Sequence, residues 1–204
     1  MSGPNGRVNG LVSDSAIRSM APDDGRLLVS GISDGGNSVL RRDPRTYTKP
    51  APEYEGGLGG MHGRELYVGH LLHMDARSRD LIAGTMLGSY GNGYEPAWAV
   101  DVAPLPGNRM LAVGRHSVNF SATNDAWFKT DSDRGMFLQI RTANLDRRFS
   151  VNVPDAIPYT AASRGERAVI VGMAESDRTP VRNAMIEKHA GGLDAYLMVV
   201  DAGE

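Results

Sequence analysis

At 204 residues, with 41% hydrophobic and 23% charged residues, the chain is long enough for one ordinary domain and reads as globular rather than disordered. A net charge of −2 argues against a general polyanion binder. The absence of cysteine excludes a disulfide framework and a thiolate metal site, and no run of about 18 apolar residues is there to span a bilayer. Glycine (25) and proline (11) punctuate the sequence too often for long helices and suit short strands joined by turns, which excludes a helical bundle or a coiled coil.

The start, Met1 to Arg7, is polar and lacks the apolar stretch of a signal peptide. Residues 6–13 resemble the last strand of a preceding unit. Ser15–Ala21 then reads as a strand, followed by the turn Asp23-Asp24-Gly25 and a short apolar strand, Arg26–Gly31. Residues 43–60 are rich in proline and glycine and predict a long surface loop. A strand with an aromatic at its third position, Tyr67, follows over Glu65–His70, and a fourth strand over Asp80–Gly88.

The same order recurs twice. Ala97–Ala103, the turn Pro106-Gly107-Asn108, Arg109–Gly114, Gly135–Ile140 with Phe137 third, and Arg148–Val153 form one set. Ala156–Ala162, the turn Arg164-Gly165-Glu166, Arg167–Gly172 and Asp194–Val199 with Tyr196 third form another. From the second set to the third, the glycine and aromatic markers advance equally to within one residue. From the first to the second they do not, which is where the 43–60 loop intrudes. Units of about 60 residues are therefore expected at 13–88, 95–153 and 156–202, each a four-stranded antiparallel sheet, with the chain stopping before a fourth strand of the last. A four-stranded antiparallel unit repeated along a chain is the signature of a β-propeller blade, and propellers close with four to eight of them. The expected fold is all-β, a partial or open propeller with about three blades visible.

Leu87-Gly-Ser-Tyr-Gly-Asn-Gly-Tyr-Glu-Pro-Ala-Trp-Ala-Val-Asp101, Ser117-Val-Asn-Phe-Ser121 and Asn183 to Val199 with its Gly191-Gly192-Leu-Asp-Ala-Tyr196 resemble the SBBP-type bacterial β-propeller repeat. The resemblance covers most of 80–201, is weaker over 7–79 and breaks at 43–60. It implies a propeller, usually in secreted or cell-surface bacterial proteins, and no catalytic residues. Zero cysteine fits such a compartment and fits a reducing cytosol equally.

No phosphate loop, nucleophile elbow or metalloprotease helix is present. His70 and His73 lie three apart on a strand and so face opposite sides, one packed and one solvated. His62, His116 and His189 read as surface residues. Asp131-Ser-Asp133-Arg-Gly135 resembles the start of a calcium loop but lacks the remaining ligands, and is expected to be a turn. Arg26, Arg109 and Arg167 share one offset and read as solvated strand entries, and Trp98 reads as core. No metal or cofactor is expected.

The leading functional expectation is a non-enzymatic interaction or structural module, with a protein or glycan partner, self-association or further blades, and with the 43–60 loop as the contact element. One alternative is an enzyme whose channel site, with Asp101 and His116 as candidates, is completed by other blades. Another is a polysaccharide-binding module using an exposed aromatic, Trp127.

Overall fold

A computed structural model describes residues 15–33, 54–55, 68–90, 94–117, 122–128, 134–183 and 188–203. Among them there is no helix, and hence none long and apolar enough to cross a membrane. The strands form three antiparallel sheets. The first holds β1 (Ser15–Asp23), β2 (Arg26–Ser33), β4 (Val68–Asp75) and β5 (Leu81–Tyr90), with the two-residue β3 (Tyr54–Glu55) added parallel to β5. The second holds β6 (Tyr94–Leu105), β7 (Arg109–Ser117), β8 (Arg134–Arg141) and β9 (Arg147–Pro154). The third holds β10 (Ala156–Arg164), β11 (Arg167–Ala174) and β12 (Asp194–Asp201). β5 and β6 meet only at their ends, from Gly88↔Pro96 to Tyr90↔Tyr94, so the first sheet turns into the second through a short hairpin. Of the expected loop at 43–60, only β3 lies within the described residues. The N-terminal strand at 6–13 and the turn at 131–133 lie outside them.

The three sheets share one register. In each, the first strand (β1, β6 or β10, here called inner because β1 and β10 both lie against β6) carries a bulge opposite a glycine of the next strand: Ile17↔Gly31 is followed by Ser19↔Ser30, Ala99↔Gly114 by Asp101↔Val113, and Pro158↔Gly172 by Thr160↔Val171. Arg18, Val100 and Tyr159 are the extra residues. A side chain at the facing glycine would overlap a backbone carbonyl of the bulged strand, that of Ala16, Trp98 or Ile157. This close approach, not a turn, is what requires glycine at these three places.

Across the glycine on its other side stands a ring: His70 opposite Gly31, Phe137 opposite Gly114, Tyr196 opposite Gly172. The expected aromatic of the first set, Tyr67, is therefore displaced by three positions, and it lies outside the described residues. The imidazole of His70 occupies the place, and a histidine is invisible to a search for aromatic spacing.

Packing is directional. The first and second sheets enclose one core, with Leu28 and Leu71 against Ala97, Ala99, Val102 and Phe137. The second and third enclose another, with Leu111, Val113, Met136 and Leu138 against Ala168, Ile170 and Val200. The middle sheet is thus covered on both faces, and β8 is buried from Gly135 to Arg141. Its inner strand serves both cores: Ala97, Ala99 and Val102 belong to the first, Ala103 and Leu105 to the second. A regular strand would alternate faces throughout. The bulge at Val100 resets the alternation, so Ala99 and Val102 share a side although they are three positions apart.

Candidate functional site

One polar centre is Asp101, the residue just after the bulge of β6. Oδ1 accepts hydrogen bonds from its neighbour's backbone, Val102 N at 2.9 Å, and from Ser19 Oγ on β1. Oδ2 accepts from Thr160 Oγ1 at 2.7 Å and Ala161 N at 2.8 Å on β10. Ser19 and Thr160 occupy the matching post-bulge positions of the first and third sheets. One carboxylate thereby ties three inner strands together, and each of its oxygens has two donors. Asp101 was expected as a candidate ligand-binding group; its oxygens are instead engaged in joining the sheets.

A second polar centre closes the junction between the second and third sheets. Asp155, buried and in the left-handed region (φ 51°), is the single residue between β9 and β10. Its carboxylate accepts from Arg178 Nε at 2.7 Å, Arg178 Nη2 at 2.8 Å and Ser176 Oγ at 2.5 Å, and Arg134 Nε lies 3.9 Å away. The bidentate Arg178 contact, helped by Ser176, holds the carboxyl down at about 2 against the opposing effect of burial. Its carbonyl accepts Glu175 N at 2.8 Å and Thr179 Oγ1 at 3.1 Å. Arg109, expected as a solvated strand entry, instead reaches across: Nη1 donates to Ala202 O at 2.8 Å and Nη2 to Glu166. Arg26 is half-buried and Arg167 exposed.

The histidines depart from expectation. His70 and His73 are both buried, although alternation along β4 puts them on opposite faces. His73 Nδ1 donates to Ala143 O at 2.7 Å. Burial alone pushes His70 down to about 4, so it is neutral at physiological pH. His116, read from sequence as a surface residue and a candidate site group, is buried on β7, pairing with Ala97 and Gly135. His189 is half-buried, 3.3 Å from Ala174 O and 3.7 Å from the Asp194 carboxylate. His62 lies outside the described residues. Among the described residues no group of three or more acidic or histidine side chains is placed to hold a metal ion.

Trp98 is half-buried on β6. Trp127 is 45% exposed, and its ring lies 4.7 Å from that of Phe149, centroid to centroid, at 47°. Asp101, His116 and Trp127 are therefore separate in kind: a joint between sheets, a buried core histidine and a propped surface ring. No family model matches the chain, and no curated protein matches it.

Proposed function

We propose that the chain is a segment of a β-propeller serving as a non-enzymatic interaction or structural module. What carries this reading is the Ser19–Asp101–Thr160 chain. Three sheets, each with its bulge in the same place, are pinned at the same point of their inner strands, as sheets arranged around a common axis would be. The likeness to the SBBP-type repeat points the same way. Such a module recruits partners through surfaces the fold leaves free rather than through a reaction centre. The test is the projected shape of the purified protein in electron-microscopic class averages. Sheets radiating from an axis lined by β1, β6 and β10 support the propeller; parallel layers as in a sandwich overturn it.

A second reading, polysaccharide binding, is favoured by one observation, the exposed Trp127 ring braced by Phe149. A rigid, exposed indole can stack on the apolar face of a sugar. A glycan array that shows binding lost in Trp127→Ala, with the melting temperature kept, supports it. No binding by the parent chain removes it.

A further inference from the structure

The two interfaces between sheets are built on one register and differ in what they bury. Counted from the glycine and the ring, Ser30, His73 and Thr85 of the first sheet stand where Val113, Ile140 and Val151 stand in the second. The set in the second sheet packs into the apolar cluster shared with the third. The set in the first lies on the side of Leu28 and Leu71, facing the side of the second sheet that carries Phe137 and, by alternation, Gln139 and Arg141 on β8 and Ser150 on β9. Where the second sheet offers Gln139 and Arg141, the third offers Met198 and Val200 to its own neighbour, both apolar. All six polar side chains are buried. One interface is thus dry, and the other carries a polar seam beside its apolar core.

The seam is incompletely bonded. Gln139 Nε2 donates to Ser150 Oγ at 3.3 Å, Arg141 Nε donates to Gln139 Oε1 at 2.9 Å, and His73 Nδ1 crosses to the Ala143 carbonyl. His73 Nε2 and Ser30 Oγ are buried without a hydrogen-bond partner. Each costs free energy in that state, and water would return it. The two sheets share one ladder of three rungs among the described residues, Gly88–Tyr90 with Tyr94–Pro96. The third sheet is fastened to the second by its apolar cluster together with Thr160 and Ala161 on Asp101, Ser163 on the Pro104 carbonyl, and Arg109 on Ala202 and Glu166.

We propose that the first sheet is a door on the second. It parts reversibly along the polar seam, pivoting on the β5–β6 ladder, while the second and third sheets stay closed on their dry interface. Opening breaks the contacts of Ser19 with Asp101 and of His73 with Ala143, exposes Leu28 and Leu71, and gives water to Ser30 and His73. That last gain has no counterpart in the dry interface, so this opening is the lower of the two in free energy. The open state bares the polar side of the second sheet, with Gln139, Arg141 and Ser150, which the closed state hides.

The chain has no cysteine, so one introduced thiol reports opening wherever it is placed. Ser30→Cys, close in size, sits in the seam, and Ala168→Cys sits in the dry interface. Each variant of the full chain is labelled with a thiol reagent under native conditions, and its rate is compared with the rate that its own global unfolding, measured in urea, allows. The seam thiol is expected to label at least tenfold faster than global unfolding allows, and the other no faster. Adding Ile170→Val should speed labelling of Ala168→Cys several-fold and leave Ser30→Cys unchanged, because the dry interface stays closed when the door opens. If Ser30→Cys fails to fold, Ala83→Cys, opposite His73, takes its place; Val113→Cys does so for Ala168→Cys. Two thiols that label only at their global rates, faster opening at Ala168→Cys, or an Ile170→Val change that speeds both overturn the proposal.

Discussion

Asp101 on β6 accepts the hydroxyl of Thr160 on β10 at 2.7 Å, joining two sheets at corresponding points of their inner strands. With its other oxygen bound to Ser19, the carboxylate is shared by three sheets. Asp101→Ala leaves donors from both neighbouring sheets without their acceptor and should destabilise by about 2 kcal/mol, given the partial exposure of the site. Asp101→Asn keeps the shape but turns an amide NH2, itself a donor, toward two of these donors, and should cost about 1 kcal/mol. Urea denaturation measures both. An unchanged midpoint for Asp101→Ala would show that the sheets hold together without this bond.

Gly114 faces the Trp98 carbonyl and the Phe137 ring so closely that a methyl group has no room. Gly114→Ala should cost about 3 kcal/mol through overpacking, because the obstructing atom is backbone and cannot swing aside. Gly165, in the β10–β11 turn with open space around it, gives the contrast. Substitution there meets only its positive φ of 57° and should cost about 1 kcal/mol. Thermal melts of the two alanine variants rank them.

Acid should weaken the fold in two stages. His70 titrates at about 4 in the folded chain against an ordinary 6.5, so the unfolded chain binds the extra proton first. Stability is therefore lost as pH falls from about 6.5 to 4, by roughly 3 kcal/mol. Asp155, held at about 2 by Arg178, stabilises fully above its ordinary 3.8 and loses that contribution as pH falls toward 2. His70→Phe places a benzene ring where Phe137 stands in the second sheet and should flatten the first stage alone. Arg178→Ala should move the second stage upward. Denaturation curves collected across pH 2–8 resolve the two.

Leu138 and Leu197 hold the same register position in different sheets, one buried and one exposed. Leu138→Ala should cost about 3 kcal/mol. Leu197→Ala should stay within about 0.5 kcal/mol. Equal losses would mean that the outer face of the third sheet is covered in solution.

Much of the strand order was legible because apolar runs bounded by turn residues locate strands whatever they pack against. Arg26–Gly31, Arg109–Gly114 and Arg167–Gly172 all fall within β2, β7 and β11. The recurrence of glycine was legible too, but not its cause, since only the register shows a bulge pressing on it. The ring position of the first sheet was missed because its occupant is His70, and the 43–60 span hides the offset. The polar chain was missed because Ser19, Asp101 and Thr160 are three different residue types. Their common signal is position: each lies four residues before the end of its strand. The histidines were misjudged because exposure follows from sheet stacking, which no local pattern reports. Arg109 was misjudged likewise, since besides the nearby Pro106 carbonyl its guanidinium reaches acceptors 57 and 93 residues away.

The bulge, its glycine and the ring opposite form a matched set contributed by three successive strands of one sheet, β6, β7 and β8 in the middle one. The glycine leaves the room that the bulged strand's carbonyl takes and, at Gly31 and Gly114, the room that the facing ring takes. Transplanting an inner strand alone between sheets would carry a kink without the gap that receives it, and deleting Val100 would send every residue after it to the wrong core. Moving the three strands together transfers the whole fitting. The interchangeable part of this protein is therefore the three-stranded meander, and recombination that respects its borders can lengthen, shorten or reshuffle the chain without redesigning any contact inside it.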